Sequence, residues 1–122
     1  ILKDVDRPTL YMNGPEIFNF TIETIPPLIQ QVISKNKLQL SGIDYFILHQ
    51  ANKYILEFLI SEIGLDISKC HIDMLDYGNT VSNTIPIALK DAFEQRIIQE
   101  GDKVLLAGFG VGYSWCSTII TI

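Results

Sequence analysis

The chain has 122 residues, a length typical of one domain, and 48% of them are hydrophobic, which excludes a low-complexity disordered protein. Its 9 basic and 14 acidic residues give a net charge of −5, which argues against nucleic acid or an anionic membrane surface as the partner. No apolar run reaches the roughly 18 residues of a membrane span. Its 2 cysteines form no CxxC pair, so we expect neither a structural zinc site nor a disulfide framework, and a reducing, cytoplasmic compartment is the default.

The first predicted element is a helix interrupted by two prolines. Asn13 is a suitable N-terminal cap, and a proline and an acid follow it in the first turn. Pro26 and Pro27 lack the N–H groups that an uninterrupted helix would use. The sequence therefore predicts two stacked helical segments, over about 15–24 and 26–36.

A buried strand and an amphipathic helix follow. Residues 43–48 (IDYFIL) are rich in strand formers and too few for a helix, which predicts a strand. From Ala51 to Ile63 the apolar residues recur at helical spacing, and Gly64 is suited to end the helix as a left-handed cap. His49 falls at the junction between the two elements.

The second half of the chain predicts a short strand, a helix and a terminal hairpin. Residues 74–77 indicate a small extended piece, and a helical pattern runs from about Ser82 to Ile97. Strands are predicted at 103–107 and 115–122, on either side of a glycine-rich bend, and would pair as an antiparallel hairpin. Strands that alternate with helices indicate a layered α/β domain.

Two polar side chains lie where these elements end. His49 follows a buried strand and Asn79 lies in a Gly-Asn-Thr turn, and ligand sites in α/β sheets favour the carboxyl ends of strands. Each also has an ordinary interpretation, as a structural histidine and as a common turn residue. As functional residues, they are neutral donors that could stabilise an oxyanion without adding a charge.

The remaining candidates have mainly structural interpretations. Residues 108–112 contain three glycines, but Tyr113 stands where a dinucleotide-binding motif has its third glycine, and a strand follows instead of a helix. The segment could allow close backbone packing or a close backbone approach to a ligand. Cys70 and Cys116 are expected to be buried structural residues, and His71 is expected at the surface or in a loop.

Three motifs occur in a specific order: HQAN at 49–52, GNT at 78–80 and GFGVGYSW at 108–115. Together with YMNGPEIF at 11–18, they resemble the C-terminal half of β-ketoacyl-acyl carrier protein synthase III, the initiating condensing enzyme of bacterial fatty-acid synthesis. The resemblance extends from about residue 8 to the end of the chain. It implies that residues 1–122 form a thiolase-like half-domain with a mixed five-stranded sheet flanked by helices, half of an αβαβα sandwich.

The resemblance also implies roles for individual residues. His49 and Asn79 match the histidine and asparagine of a Cys-His-Asn triad, whose cysteine would belong to an N-terminal domain absent from this chain. Phe109 and Val111 match the pocket, where the Val111 N–H would help to hold a tetrahedral oxyanion. The residues that match the lining of the pantetheine channel are Gly14, Phe18, Ala51 and Asn52.

The implied reaction is a decarboxylative Claisen condensation. A malonyl thioester on acyl carrier protein would react with an acyl-CoA primer and give a 3-oxoacyl thioester, with no cofactor. The implied partners are acyl carrier protein, coenzyme A thioesters and the N-terminal half of a homodimeric parent, and this chain alone would be inactive. Two alternatives remain: an acyltransferase of the same fold that acts on an alcohol or amine without decarboxylation, and a non-catalytic half that binds coenzyme A.

Three positions depart from the family's pattern. Tyr54 stands where an arginine is common, and Val111 and Cys116 each replace a common glycine. These departures indicate a divergent member that serves a specialised acyl pathway.

Overall fold

The computed structural model describes residues 11–110 and 112–122. In chain order these residues form helix α1 (Gly14–Lys35), strand β1 (Tyr45–Leu48), helix α2 (Lys53–Ile63), helix α3 (Thr84–Glu94), strand β2 (Lys103–Gly110) and strand β3 (Ser114–Thr121). Short 3₁₀ turns occupy connections at Leu40–Gly42, Ile67–Lys69 and Val81–Asn83. The alternation of helices and strands confirms the predicted α/β class. None of the described helices combines the length and the apolar character that crossing a membrane requires.

The strands form a mixed sheet in the order β1-β2-β3. β1 pairs parallel with β2, and β2 pairs antiparallel with β3, so the predicted terminal hairpin is confirmed. The predicted five strands are not confirmed: the described residues contain three strands and an isolated bridge between Phe46 and Cys70. Of residues 74–77, positions 75–77 form a bend and Leu75 is 99% exposed, so this piece buries too little to pair as a strand. The prediction of five strands came from the family resemblance, whereas the strand patterns in the sequence indicated four strands.

An apolar cluster lies on each face of the sheet, because successive side chains of a strand point to opposite faces. One cluster packs α1 and α2 against the sheet, and its members include Ile25, Ile29, Phe46, Leu56, Leu59 and Leu105. The other packs α3 against the opposite face, and its members include Tyr45, Ile47, Ala88, Ala92 and Val104. The result is three layers, with the sheet between two layers of helix.

Helix α1 is one helix, so the predicted break at the prolines is wrong. Pro27 is exposed and Pro26 half-buried, whereas Ile25 and Ile29 are fully buried. Because the prolines lie towards solvent, water can satisfy the carbonyl groups that they leave without donors. Each buried isoleucine contributes roughly 1.5–3 kcal/mol, which offsets the roughly 3 kcal/mol that a proline costs inside a helix.

The helix ends follow the sequence closely. The Asn13 side chain accepts a hydrogen bond from the Glu16 N–H at 3.4 Å and caps α1, as predicted. Gly64 ends α2 with a left-handed φ of +75°, also as predicted.

The glycine-rich segment and Cys116 differ from expectation. β2 continues through Gly110, so the predicted bend at 108–112 is shorter, and the chain turns at Gly112 and Tyr113. Cys116 is exposed instead of buried, because β3 is the outermost strand of the described sheet.

The turn before α3 contains a β-branched residue in the left-handed region. Val81 has φ of +59° and an exposed side chain. Its N–H donates to Asn79 Oδ1 at 2.9 Å, and its carbonyl accepts from Thr84 Oγ1 at 3.2 Å. Left-handed backbone is strained for such a residue, and these two hydrogen bonds hold it in place.

We expect Val81→Gly to raise the free energy of unfolding by about 0.5–1 kcal/mol. Glycine removes roughly 1–2 kcal/mol of backbone strain and adds roughly 0.4–1 kcal/mol of unfolded-state entropy. The valine side chain is exposed, so little burial is lost. Urea unfolding of the chain measures the change, and Val81→Ala, which keeps a Cβ on the left-handed backbone, is the matched control with a smaller gain. A Val81→Gly variant less stable than the wild type would contradict the strain.

Candidate active site

His49 lies directly after β1 and continues its pairing with β2. Its backbone N–H donates to the Ala107 carbonyl at 2.8 Å. The half-buried imidazole packs edge to face against the Phe109 ring, with centroids 5.4 Å apart and an interplanar angle of 87°. The structure thus brings together two residues that sequence analysis selected from distant motifs.

The hydroxyl of Thr84 contacts the His49 ring. The distance from His49 Nδ1 to Thr84 Oγ1 is 2.7 Å, shorter than the 3.2 Å from the same hydroxyl to the Val81 carbonyl. Burial lowers the pKa of His49 below its ordinary 6.5, so the ring is neutral at pH 7. Sequence analysis missed Thr84, because it lies 35 residues from His49 and its position in the first turn of a helix is unremarkable.

Asn79 is connected to the segment that begins with His49. Its Nδ2 donates to the Ala51 carbonyl at 3.3 Å, and its Oδ1 accepts from the Val81 N–H at 2.9 Å. These two bonds orient the side-chain amide, whose Nδ2 carries a second hydrogen that can be donated elsewhere. The side chain is exposed, so this hydrogen can reach a ligand.

Gln50 joins the same segment to the loop after α2. Its side chain is buried, and its Nε2 donates to the carbonyls of Leu48 at 2.8 Å and His71 at 3.2 Å. Its Oε1 accepts from the Asp73 N–H at 3.0 Å. Sequence analysis assigned no role to Gln50, and its position directly after His49 was the available signal.

The residues expected to line a channel lie near the starts of two helices. Phe18 on α1 stacks on Tyr54 of α2 at 5.9 Å and meets the Phe58 ring edge-on at 5.4 Å. Gly14 lies one turn before Phe18 on the same face of α1. The residues just before α2 are Ala51 and Asn52, and Asn52 Oδ1 accepts from the Ile55 N–H at 2.9 Å as the helix cap. Val111 lies outside the described residues.

A second set of aromatic contacts joins α1 to the hairpin. The Phe20 ring lies 4.7 Å from the Tyr113 ring and 5.5 Å from the Trp115 ring, measured between centroids. Tyr113 Oη also lies 3.5 Å from Glu16 Oε2. The start of α1 is therefore in contact with both α2 and the β2–β3 turn.

Cys70 is unsuited to nucleophilic chemistry. Burial, together with the charge of Asp66, raises the pKa of its thiol to about 12, so the thiol is protonated at neutral pH. Its Sγ donates to the Asp66 carbonyl at 3.3 Å. Within residues 11–110 and 112–122, no group of three or more His, Cys, Asp or Glu side chains could hold a metal ion.

His71 is buried, so its predicted surface position is wrong. Its exposed fraction is 6%, and its ring lies 6.3 Å from the Tyr45 ring. The backbone explains the burial, because the bridge between Phe46 and Cys70 places the following residue alongside β1. Burial lowers the pKa of His71, against opposing effects of Asp73 and Asp91.

Comparisons with known proteins agree with the motifs. A family model described as "3-Oxoacyl-[acyl-carrier-protein (ACP)] synthase III C terminal" matches residues 33–122. β-Ketoacyl-[acyl-carrier-protein] synthase III of Clostridium tetani is 37% identical over 118 residues, which are 97% of this chain and 35% of that protein. The enzyme of that name from Streptococcus pneumoniae is 40% identical over 115 residues, which are 93% of this chain and 36% of that protein.

A solved structure shares the fold. The β-ketoacyl-[acyl carrier protein] synthase III of Thermus thermophilus superposes with a TM-score of 0.88 at 37% identity, over 92% of this chain and 35% of that one. The chain thus spans about a third of the length of the relatives it matches. Motifs, fold and family model agree that the chain belongs to the C-terminal domain family of 3-oxoacyl-[acyl carrier protein] synthase III.

Proposed function

We propose that this chain provides the histidine and asparagine of a decarboxylating condensing enzyme. The reaction joins a malonyl thioester on acyl carrier protein to an acyl-CoA primer and forms a 3-oxoacyl thioester. The observation that carries the proposal is one hydrogen-bonded connection between two neutral donors: Thr84 contacts both His49 and the Val81 carbonyl, and the Val81 N–H binds Asn79.

The donors suit the charge that decarboxylation creates. When the bond between the malonyl carboxylate and the adjacent carbon breaks, the electron pair forms an enolate and negative charge develops on the thioester oxygen. A neutral His49 and the free amide hydrogen of Asn79 can donate to that oxygen. The enolate carbon then attacks the acyl-enzyme thioester, and the cysteine leaves as a thiolate.

Thr84 would set which ring nitrogen of His49 carries the proton. Its hydroxyl has one hydrogen, and the shorter contact is to His49 Nδ1 at 2.7 Å. When that hydrogen is donated to Nδ1 and not to the Val81 carbonyl, the ring proton lies on Nε2, and Nε2 becomes the donor to the oxyanion. The Val81 carbonyl still accepts from the Thr84 backbone N–H. Thr84 is therefore proposed as the residue that fixes the tautomer.

The nucleophilic cysteine is proposed to come from an N-terminal domain outside these 122 residues. Cys70 is buried with a raised pKa, and Cys116 lies on the outermost strand of the described sheet. Phe109, already in contact with His49, would pack beside the nucleophile, and the N–H of Val111 would hold the tetrahedral oxyanion. We refer to this chain together with its nucleophile-bearing domain as the complete enzyme.

The remaining assignments follow from the same family membership. We propose that pantetheine enters between the starts of α1 and α2, and the supporting contact is the stacking of Phe18 on Tyr54. Gly14, Ala51 and Asn52 would line the rest of this channel. The proposed partners are acyl carrier protein and coenzyme A thioesters, in a cytoplasmic homodimer that needs no cofactor.

His49→Ala and Asn79→Ala are each expected to slow CO₂ release from a malonyl thioester by roughly 100- to 1000-fold, because each removes one oxyanion donor. The measurement is CO₂ release by the complete enzyme, with the 122-residue chain alone as an inactive blank. Acyl loading of the cysteine by the Asn79→Ala variant is the control and should remain. A wild type that is acylated but never decarboxylates would instead support the acyltransferase alternative.

Thr84→Val should reduce the decarboxylation rate by roughly tenfold or more, since it removes the hydrogen bond that orients the imidazole. Thr84→Ser keeps the hydroxyl and should retain most of the rate. A Thr84→Ser variant that loses as much of the rate as Thr84→Val would contradict this role of the hydroxyl.

The decarboxylation rate should stay constant as the pH falls through 6.5, the ordinary pKa of histidine. Burial lowers the pKa of His49, so the neutral ring persists to lower pH and the rate declines only there. A pH profile of kcat in the complete enzyme tests this, and Asn79→Ala, which keeps His49, should show the same acidic limb at a lower rate. A decline that begins above pH 6.5 is the contrary result.

A further inference from the structure

A small cavity lies beside the turn that carries Asn79, and the proposed reaction does not use it. Its volume is about 10 Å³, close to the minimum that holds one water molecule. The residues around it include Gln50, His71, Thr80 and Thr84, so its lining is partly polar.

Two buried polar atoms belong to residues that line this cavity. His71 Nε2 and Thr80 Oγ1 are both buried, and neither has a hydrogen-bond partner among the described residues. Native proteins pair nearly all buried polar atoms, and where no protein partner is present an ordered water commonly serves. The His71 side chain is more than nine-tenths buried, so bulk solvent does not take this role.

We propose that the cavity binds one water molecule that bridges His71 Nε2 and Thr80 Oγ1, and that His71 is thereby a positioning residue for Asn79. The positioning role rests on the proposed function, whereas the water site does not.

The His71 end of this bridge is fixed to the sheet. Its backbone N–H donates to the Phe46 carbonyl at 2.9 Å, and its own carbonyl accepts from Gln50 Nε2 at 3.2 Å. Phe46 lies in β1, and Gln50 directly follows His49. A group held by His71 is therefore held in register with β1, the strand that His49 directly follows.

The Thr80 end of the bridge lies in a turn with a strained backbone. Thr80 directly follows Asn79, between two left-handed residues, Gly78 with φ of +62° and Val81 with φ of +59°. The Asn79 side chain is exposed, and it forms hydrogen bonds with backbone groups of Ala51 and Val81. A bridge from the Thr80 hydroxyl would connect this strained turn to the buried side of the sheet.

The lowered pKa of His71 leaves its imidazole neutral at pH 7, and a neutral ring suits a bridging water. Burial lowers the pKa of His71, while the Asp73 and Asp91 carboxylates act in the opposite direction. A neutral imidazole nitrogen can donate to water or accept from it, and so can a hydroxyl. Asp91 also raises the pKa of Tyr77, a further lining residue, chiefly through its negative charge.

The kinetic test compares matched pairs of variants in the complete enzyme. His71→Leu and Thr80→Val remove one arm of the bridge and should lower kcat for CO₂ release by roughly ten- to a hundredfold, because the Asn79 turn shifts. His71→Gln and Thr80→Ser keep a polar atom and should retain most of the rate. The KM for the malonyl thioester and the rate of acyl loading should change little in all four.

A double variant separates positioning from an independent effect. Adding His71→Leu to Asn79→Ala should cause little further loss, because the group that His71 positions is already gone. Losses that multiply would overturn the positioning role. If His71→Leu does not fold, Thr80→Val at the half-buried end of the bridge serves for the same comparison.

A high-resolution crystal structure of the wild-type enzyme tests the water directly. We expect one ordered water within the usual hydrogen-bond limit, about 3.5 Å, of both His71 Nε2 and Thr80 Oγ1. A side chain that fills the cavity, or a direct bond between the two atoms, would overturn the site. An inactive wild type contradicts the proposed function, whereas an active wild type whose His71→Leu and Thr80→Val variants keep their rates contradicts this inference alone.

Discussion

The candidate site depends on one backbone hydrogen bond, from His49 N–H to the Ala107 carbonyl. It extends the parallel pairing of β1 and β2 by one residue beyond the end of a strand whose four residues are all buried. Phe109 lies two residues after Ala107, on the same face of β2, so the extended pairing brings its ring against the imidazole. The histidine is thus positioned by the buried, paired part of the sheet.

Asn79 is positioned in a different way. In the part of the chain that the structure describes, no strand pairing reaches its turn, which contains a valine in a strained conformation and is held by side-chain hydrogen bonds. Side-chain bonds of this kind are few, and each can be altered by one substitution. The two donors therefore differ in robustness: the histidine position depends on the fold, whereas the asparagine position depends on individual neighbours such as Thr84.

The sequence predicted local structure better than tertiary contacts. The Asn13 cap, the Gly64 cap and the hairpin were predicted because each depends on residues a few positions apart. The continuous α1 was not, because burial of Ile25 and Ile29 against distant strands decides it. The exposure of Cys116 depends on the position of β3 at the outside of the described sheet, and the burial of His71 depends on a bridge to β1. No local sequence pattern predicts either of them.

In the candidate site, too, the sequence predicted individual residues but not the contacts between them. His49 and Asn79 were selected from their motifs, and the structure links them through residues of both motifs and through Thr84. The contacts of Thr84 and Gln50 join positions up to 35 residues apart, so spacing alone could not reveal them.

The aromatic contacts of α1 on its two sides affect how the proposed channel could change shape. Phe18 touches α2 and Phe20 touches the hairpin, and two residues along a helix place these side chains on opposite sides. Helix α1 therefore contacts α2 at the proposed entrance on one side and the hairpin on the other. A displacement of α1 away from α2 would widen the proposed entrance and press Phe20 against the hairpin, so the width of that entrance would depend on the position of the whole helix.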